Sequence, residues 1–216
     1  FQSYPVDGIV LAGTVITPEH VEFFKSAHVP IVVAGQLVEG QNCVYYDEFE
    51  AARDLAHLVA AQYDGPIAYI GATRRDVSAG ALREDGFRAG LDDAGRPLDD
   101  SLYRESPFTV EGGYACAQDL LKGNMVPEFI SCATDTMAAG AIRAMKEFGF
   151  IDPARHVSGF GDNQFLRAVT GGIATVHFGA MTMGKTAADM VLDLMEAGAN
   201  KADNPRQVQL GHVIKE

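Results

Sequence analysis

The feature that most constrains the fold of this chain is the alternation of short apolar runs with segments of helical period. The apolar runs have the length and composition of buried strands, and they span Gly8–Ala12, Pro30–Ala34, Ile67–Gly71, Phe129–Ala133, Val157–Phe160 and Ala174–His177. Helical segments with clear start and stop signals lie between them, and such alternation is typical of parallel sheets covered by helices. The sequence therefore predicts an α/β fold.

Composition and charge restrict the class of protein. With 216 residues, of which 47% are hydrophobic and 21% charged, the chain is long enough for one large domain or two small lobes. Its net charge of -12 argues against DNA binding by this chain alone, because that binding depends on clustered Lys and Arg. The sequence has no apolar run of the ~18 residues that a membrane helix needs, so we expect no membrane partner.

The cysteine pattern predicts the compartment. Cys43, Cys116 and Cys132 are odd in number, far apart in the sequence and each set among apolar neighbours. This spacing fits neither a disulfide framework nor a metal site, and it indicates small buried residues in a reducing environment. We therefore expect a cytoplasmic protein.

No motif for catalysis, for a metal or for a cofactor stands out. The sequence lacks the nucleophile-elbow, zinc-protease, Cys-x-x-Cys and phosphate-loop patterns, and Gly159-Phe-Gly161 lacks the third glycine of a dinucleotide fingerprint. We expect no catalytic residue, no metal and no cofactor. An enzyme on the same fold class stays open as an alternative, because a fold does not determine a function.

Polar residues at predicted strand ends are the candidate binding residues. Thr134-Asp135 follows an apolar strand and begins an amphipathic helix, and His177 lies at the end of another strand. Ligands in open parallel sheets bind at the carboxyl ends of the strands. Asp135 is equally suited to be a helix N-cap, which we take as its first role, and His177 is equally suited to a structural role.

Arg83 and Phe108 are two further candidates. Arg83 lies about one and a half turns into a helix that begins near Asp76, and its planar fork of donors suits adjacent hydroxyls or a carboxylate. The alternative is a surface ion pair with Asp76 or Glu84. Phe108 lies in a loop, where it is either an ordinary core residue or an aromatic face on which a ligand stacks.

Taken in order, the motifs of the chain resemble one known family, the effector-binding core of the lactose-repressor/galactose-repressor regulators. The resemblance covers nearly the whole chain. It is carried by Val6-Asp-Gly-Ile-Val-Leu, Val29-Pro-Ile-Val, Asp47-Glu-x-x-Ala-Ala, Tyr69-Ile-Gly, Arg83-x-x-Gly86-Phe87, Phe108 with Gly113-Tyr114, Ala133-Thr-Asp135-x-Met-Ala-x-Gly140, Val157-Ser-Gly-Phe, and Thr175-Val with Gly184-x-x-Ala-Ala.

The resemblance implies a type I periplasmic-binding-protein-like fold, with two Rossmann-like lobes joined by three crossings and an effector in the cleft. It assigns residues 1–65 and 178–205 to the N-terminal lobe, and residues 66–177 and 206–216 to the C-terminal lobe. The chain starts where the third strand of the first lobe is expected. The first lobe is therefore expected to be incomplete in this chain.

The resemblance also implies roles for individual residues. It makes Arg83 the residue that grips the effector, Phe108 the aromatic that stacks on it, and Thr134 and Asp135 hydrogen-bonding contacts. Many relatives have Gly-Tyr-Asp-Asp where this chain has Gly159-Phe-Gly161-Asp162, so an aspartate that contacts sugar hydroxyls is replaced by glycine. Asp162 or Asn163 are the candidates to replace its contact.

The implied function is that of an allosteric transcriptional regulator, a repressor, whose effector is a small sugar or sugar phosphate. Operator DNA would be bound by an N-terminal helix-turn-helix part that is absent from this sequence. A homodimer is implied, through Pro18–His28 in one lobe and Met137–Phe148 or Phe165–Thr170 in the other. The alternative is a sugar-binding protein of a transport system, which shares the two-lobed architecture.

Overall fold

The computed structural model describes residues 6–13, 15–198 and 204–216, and these form an α/β fold with mainly parallel sheets. The strands are β1 (Ile9–Ala12), β2 (Ile31–Ala34), β3 (Asn42–Tyr46), β4 (Ile67–Gly71), β5 (Tyr103–Glu105), β6 (Phe129–Cys132), β7 (Val157–Phe160), β8 (Ala174–Phe178), β9 (Gln207–Leu210) and β10 (His212–Lys215). The helices are α1 (Pro18–Ser26), α2 (Glu48–Gln62), α3 (Arg83–Asp93), α4 (Val110–Leu121), α5 (Asp135–Glu147), α6 (Gln164–Thr170) and α7 (Ala180–Glu196).

The contacts divide the chain into two compact units. The smaller unit comprises residues 1–47 and 179–211, and the larger comprises residues 48–178 and 212–216. In the smaller unit, a parallel sheet has the strand order β1-β2-β3-β9. Helix α7 packs on this sheet through Ala187, Met190 and Val191.

The larger unit is built on a sheet with the strand order β10-β8-β7-β6-β4-β5. Its strands are parallel except β10, which pairs antiparallel with β8. Because parallel strands are covered on both faces, they are almost wholly apolar; the five residues of β4 are all buried. Helix α2 packs against α3, and α4 packs against α5.

All three boundaries differ from the lobes that the resemblance implied, the one at residue 178 by a single residue. Helix α2, expected in the N-terminal lobe, belongs to the larger unit, because its backbone lies directly against α3. A methyl group at Gly86 would lie 2.1 Å from the carbonyl oxygen of Phe49, so the two helices meet at a glycine. Strand β9, expected in the C-terminal lobe, belongs to the smaller unit, where it pairs with β3.

The cysteines are free thiols, as the sequence predicts. Cys43 and Cys132 are buried, whereas Cys116 is only partly buried and so differs from the expectation of a core residue. Burial raises the pKa of the Cys132 thiol, which keeps this thiol protonated at neutral pH.

Candidate functional site

The predicted binding residues lie at or near the carboxyl ends of strands in the larger unit. Thr134 follows β6, and Asp162 and Asn163 follow β7; His177 lies near the end of β8 and Phe108 in the loop after β5. Asp135, which follows Thr134, accepts a hydrogen bond from the N–H of Asn163, and the side chains of Asp162 and His177 lie 2.8 Å apart. Arg83 reaches the same edge from the start of α3.

A π-helical turn before α3 positions Arg83. The segment Val77–Leu82 is a π-helical turn, and the buried carboxylate of Asp76 accepts a hydrogen bond from the N–H of Ala79 at 2.9 Å. A methyl group at Gly80 would lie only 2.0 Å from the carbonyl oxygen of Thr73, so this turn packs directly on the loop after β4. π-helical turns are wider than α-helical ones and are frequent at functional sites.

The guanidinium of Arg83 is held between a carboxylate, a carbonyl and two aromatic rings. Its Nε and Nη2 donate to the two carboxylate oxygens of Glu48 at 2.7 and 3.1 Å, and its Nη1 donates to the carbonyl of Ala133 at 2.7 Å. The guanidinium carbon lies 4.6 Å from the ring centre of Phe160 and 5.6 Å from that of Phe178. We call these five residues the arginine fork.

The ion pair of the arginine fork is not the surface pair that the sequence suggested. The side chains of Arg83 and Glu48 are 11% and 6% exposed, so both charges are withdrawn from water. The expected alternative partners are engaged elsewhere: Asp76 caps the π-helical turn, and Glu84 pairs with Arg74 and Arg88. Glu48 begins α2, where the helix dipole also favours a negative charge.

The sequence suggested Asp135 as the N-cap of α5, but the structure has Thr134 in that position. Thr134 is the N-cap of α5, and its hydroxyl accepts the N–H of Met137 at 3.3 Å. Asp135, which we expected to be the cap, is the first helical residue. Its buried carboxylate accepts the N–H of Asn163 at 2.6 Å and the hydroxyl of Thr175 at 2.7 Å.

Asp135 therefore connects the end of β6 to the end of β7 at Asn163 and to β8 at Thr175. A methyl group at Gly159 would lie 2.4 Å from its Oδ1, so only glycine fits at that position of β7. We call Asp135, Asn163, Thr175 and Gly159 the aspartate knot. Burial raises the pKa of the Asp135 carboxyl, and the hydrogen bonds from Asn163 and Thr175 oppose that rise.

Asp162 is the centre of an ionic cluster beside the knot. Its side chain is 7% exposed and forms ion pairs with Arg167 and, at 2.6 Å, with Lys215, and Nδ1 of His177 lies 2.8 Å from the same carboxylate. Its backbone is left-handed, with φ of 53°, and it follows Gly161 at φ of 127°. The glycine that replaces an aspartate in this chain thus occupies a conformation that disfavours other residues.

The remaining candidates differ in exposure. Asn163 uses its side chain to cap α6, accepting the N–H of Leu166 at 3.0 Å. The side chain of His177 is 38% exposed, and Phe108 is 41% exposed, so Phe108 is not a core residue. The loop that carries Phe108 is fastened to the end of β4 by the N–H of Ser106, which donates to the carbonyl of Gly71 at 3.0 Å.

Sequence reasoning did not single out Glu48, Phe160 or Phe178, although all three contact Arg83. Glu48 is 35 residues from Arg83, and a long-range ion pair leaves no local pattern. Phe160 and Phe178 end their strands, and this position was the available signal for an aromatic at the carboxyl edge.

Neither metal ligation nor membrane insertion is indicated for the part of the chain that the structure describes. Its His, Cys, Asp and Glu side chains include no group of three or more able to hold a metal ion. Within the same residues, no helix combines the length and apolar character needed to span a bilayer.

Comparison with known proteins agrees with this architecture. Residues 55–215 match the family model described as periplasmic binding protein-like domain. The chain belongs to this family, and its relatives place it in the lactose-repressor/galactose-repressor group.

Curated relatives are transcriptional regulators. The chain is 24% identical over 196 residues to the sucrose operon repressor of Staphylococcus xylosus, covering 91% of this chain and 60% of that protein. It is 30% identical over 151 residues to catabolite control protein A of Priestia megaterium, covering 68% of this chain and 45% of that protein. The chain thus spans about half to three fifths of the length of these relatives.

A solved structure has the same fold. The transcriptional regulator CelR in complex with cellobiose superposes with a TM-score of 0.85 at 23% identity, over 98% of this chain and 65% of that chain. At this level of identity the likeness establishes the fold alone.

Proposed function

We propose that this chain is the effector-binding core of a transcriptional repressor, and that its effector is a small sugar or sugar phosphate bound at the carboxyl edge of the larger sheet. The observation that carries the proposal is the arginine fork. A sugar has hydroxyls at its rim and apolar C–H faces, and a planar donor beside aromatic rings is complementary to both.

Arg83 retains hydrogen-bonding capacity for such a ligand. The contacts to Glu48 and Ala133 use three N–H groups, whereas a guanidinium carries five. Further polar groups adjoin the fork, since Ala133 precedes Thr134, and Phe160 precedes Gly161 and Asp162. We propose that Thr134, Asp162 and His177 supply the remaining polar contacts and that Phe108 stacks on the ligand. Asp135 and Asn163 act mainly by holding the strand ends.

The names of similar proteins support a sugar as the effector. One relative is a sucrose operon repressor, and one protein of the same fold was solved with cellobiose. A glucose or glucose-containing disaccharide is therefore the first class of ligand to test.

Isothermal titration calorimetry with sucrose, cellobiose, trehalose, glucose and glucose 6-phosphate tests the site. Arg83→Lys keeps the positive charge but removes the planar fork, so we expect the bound sugar to lose at least about tenfold in affinity. The matched control is Arg74→Lys, because Arg74 pairs with Glu84 and Asp85 outside the fork. Equal affinity in wild type and Arg83→Lys would refute the site.

We propose that the repressor works as a homodimer in the cytoplasm, with DNA bound by a helix-turn-helix part outside this chain. Exposed apolar side chains support self-association: Phe165 and Val169 on α6 are 85% and 81% exposed, and Ile151 is 91% exposed. Sedimentation velocity should give a dimer for wild type and a monomer for Phe165→Glu. A wild-type monomer at micromolar concentration would contradict this part of the proposal.

The DNA switch requires a difference in affinity between two states. Moving a repressor from 99% to 1% DNA-competent takes about a 10⁴-fold preference of the effector for one state. Fluorescence anisotropy of operator DNA with the longer protein, with and without the sugar that calorimetry identifies, measures this preference. DNA affinity that does not respond to any bound sugar would exclude a regulatory role for the site.

A further inference from the structure

The charge of Glu48 bears directly on the choice between a sugar and a sugar phosphate. We infer that Glu48 makes the carboxyl edge a site for an uncharged, hydroxyl-rich ligand and acts as the specificity residue that excludes its phosphorylated form. The inference rests on the proposed function and decides between the two ligand classes that it names.

The geometry of the fork carries the argument. Glu48 accepts two parallel hydrogen bonds from Arg83, at 2.7 and 3.1 Å, which is the bidentate arrangement that an arginine also uses to bind phosphate. The carboxylate thus occupies the Nε/Nη2 edge of the guanidinium, one of the two edges that can bind a phosphate with two parallel hydrogen bonds. The N–H groups that remain belong to a guanidinium whose charge is already neutralised.

Burial strengthens the exclusion. With both side chains withdrawn from water, the negative charge of Glu48 is poorly screened, and a second anion beside it is repelled. The partly exposed ring of Phe178 offers the ligand apolar surface next to the same guanidinium, and the buried ring of Phe160 adds to the apolar surroundings of Arg83. A phosphate loses its hydration beside such rings, whereas the C–H face of a sugar is well accommodated.

The other charges that contact one another at this edge are balanced as well. The carboxylates of Glu48, Asp135 and Asp162 lie among the cations Arg83, Arg167 and Lys215. The cations around Asp162 converge on that one carboxylate. They are therefore committed to an internal partner in the same way as Arg83.

Arg75 is a further cation that could attract phosphate, so its effect on phosphate binding must be measured separately from that of the arginine fork. It lies in the loop after β4 and is exposed. The variant Arg75→Ala tests whether this loop attracts anions independently of the fork.

The experiment compares wild type with Glu48→Gln, which keeps the size of the side chain and removes its charge. Thermal unfolding is followed with 0 and with millimolar inorganic phosphate, and calorimetry compares glucose with glucose 6-phosphate and sucrose with sucrose 6-phosphate. We expect phosphate to raise the melting temperature of Glu48→Gln and not that of wild type. In wild type, we expect the phosphorylated form of any bound sugar to bind at least about tenfold more weakly, and Glu48→Gln should narrow this ratio.

Glu84→Gln is the matched control. Glu84 is also a buried carboxylate that pairs with arginines, but its partners are Arg74 and Arg88 rather than Arg83. Phosphate stabilisation should be absent from Glu84→Gln and should persist in Glu48→Gln when Arg75→Ala is added. If Arg75→Ala abolishes the phosphate stabilisation of Glu48→Gln, the anion binds at the loop, and the role of Glu48 is overturned.

Two results would overturn the inference directly: wild type stabilised by phosphate as strongly as Glu48→Gln, or wild type binding a sugar phosphate more tightly than its sugar. The second result compares two ligands of wild type, so it does not depend on how well Glu48→Gln folds. If no sugar binds wild type, the proposed function fails, whereas the phosphate measurement still decides whether Glu48 repels anions at the fork.

Discussion

The arginine fork and the aspartate knot lie at neighbouring strand ends, yet they use their charges differently. Asp135 is enclosed by neutral donors, the N–H of Asn163 and the hydroxyl of Thr175, and both of its carboxylate oxygens are used inside the protein. Arg83 meets an opposite charge and two aromatic rings, and part of its donor set is left over. The knot is suited to holding the edge together, and the fork is suited to meeting a ligand.

The difference shows that polar residues at a strand end need not share one role. Both residues were predicted to contact the effector, and the prediction for Asp135 rested on its place after β6. Its position as the first helical residue turns the carboxylate toward β7 and β8, where the chain itself supplies the donors. Hydrogen bonding within the protein, and not position alone, distinguishes a structural residue from a binding residue.

The largest effect is expected from breaking the fork. Arg83→Met removes one partner of a buried ion pair and leaves the charge of Glu48 uncompensated, which typically lowers the free energy of unfolding by about 3–5 kcal/mol. Urea denaturation measures the loss. Arg74→Met is the control, because its side chain is 50% exposed and exposed ion pairs contribute only about 0–1 kcal/mol. Equal losses for the two variants would show that the pair with Glu48 is not a special feature of the fork.

The second largest loss of stability on substitution is expected in the aspartate knot. Asp135→Ala leaves the N–H of Asn163 and the hydroxyl of Thr175 without their acceptor in a buried environment, and we expect a loss of about 2–3 kcal/mol. The same urea experiment detects it. A loss below that of Arg74→Met would contradict the structural role of the knot.

A smaller effect is expected at the position where β7 passes the knot. Gly159→Ala places a methyl group 2.4 Å from Oδ1 of Asp135, and such overpacking typically destabilises by about 1–3 kcal/mol. Because the clash involves Asp135 itself, the loss should shrink in the Asp135→Ala background. A double-mutant cycle measures this coupling, and additive losses would mean that the clash lies with the backbone alone.

The pH dependence of the knot should be the smallest and most specific signal. The pKa of Asp135 is raised in the folded state from 3.8, its value outside the fold, because burial disfavours the charged form. Its protonation therefore stabilises the fold below pH 3.8, and this contribution disappears as the pH rises through the raised pKa.

Asp135→Asn, which cannot titrate, removes this contribution. The stability of wild type relative to Asp135→Asn should therefore fall as the pH rises above 3.8. Urea unfolding of both variants over a series of pH values measures the difference. A difference that stays constant, or that grows in favour of wild type, would show that the pKa of Asp135 is not raised.

Much of the fold follows from the sequence, since burial on both faces leaves long apolar runs. The strands β4 and β7 have the predicted bounds, and the predicted bounds of β1, β2, β6 and β8 differ by one residue at one end. The strands that local patterns did not predict have weaker patterns. β5 has only three residues and none of them is buried, and β9 alternates exposed and half-buried residues. β3 follows closely on a glycine turn and was not assigned, although most of it is buried.

The site was predictable only where its chemistry is local. Arg83 lies in a short motif and could be singled out, whereas its partner Glu48 is brought to it by the packing of α2 on α3. The N-cap of α5 is Thr134 instead of Asp135 because the helix starts one residue earlier than expected, and propensities do not resolve helix starts to that precision.

The arginine fork also has a consequence for the path of the chain. The chain passes from one compact unit to the other after residues 47, 178 and 211. Glu48 is therefore the first residue after one passage and Phe178 the last before another, while His212, the first after the third, pairs with Phe178 in the ladder between β8 and β10. One guanidinium thus joins Glu48 and Phe178, the first and the last residue of the long segment that forms most of the larger unit.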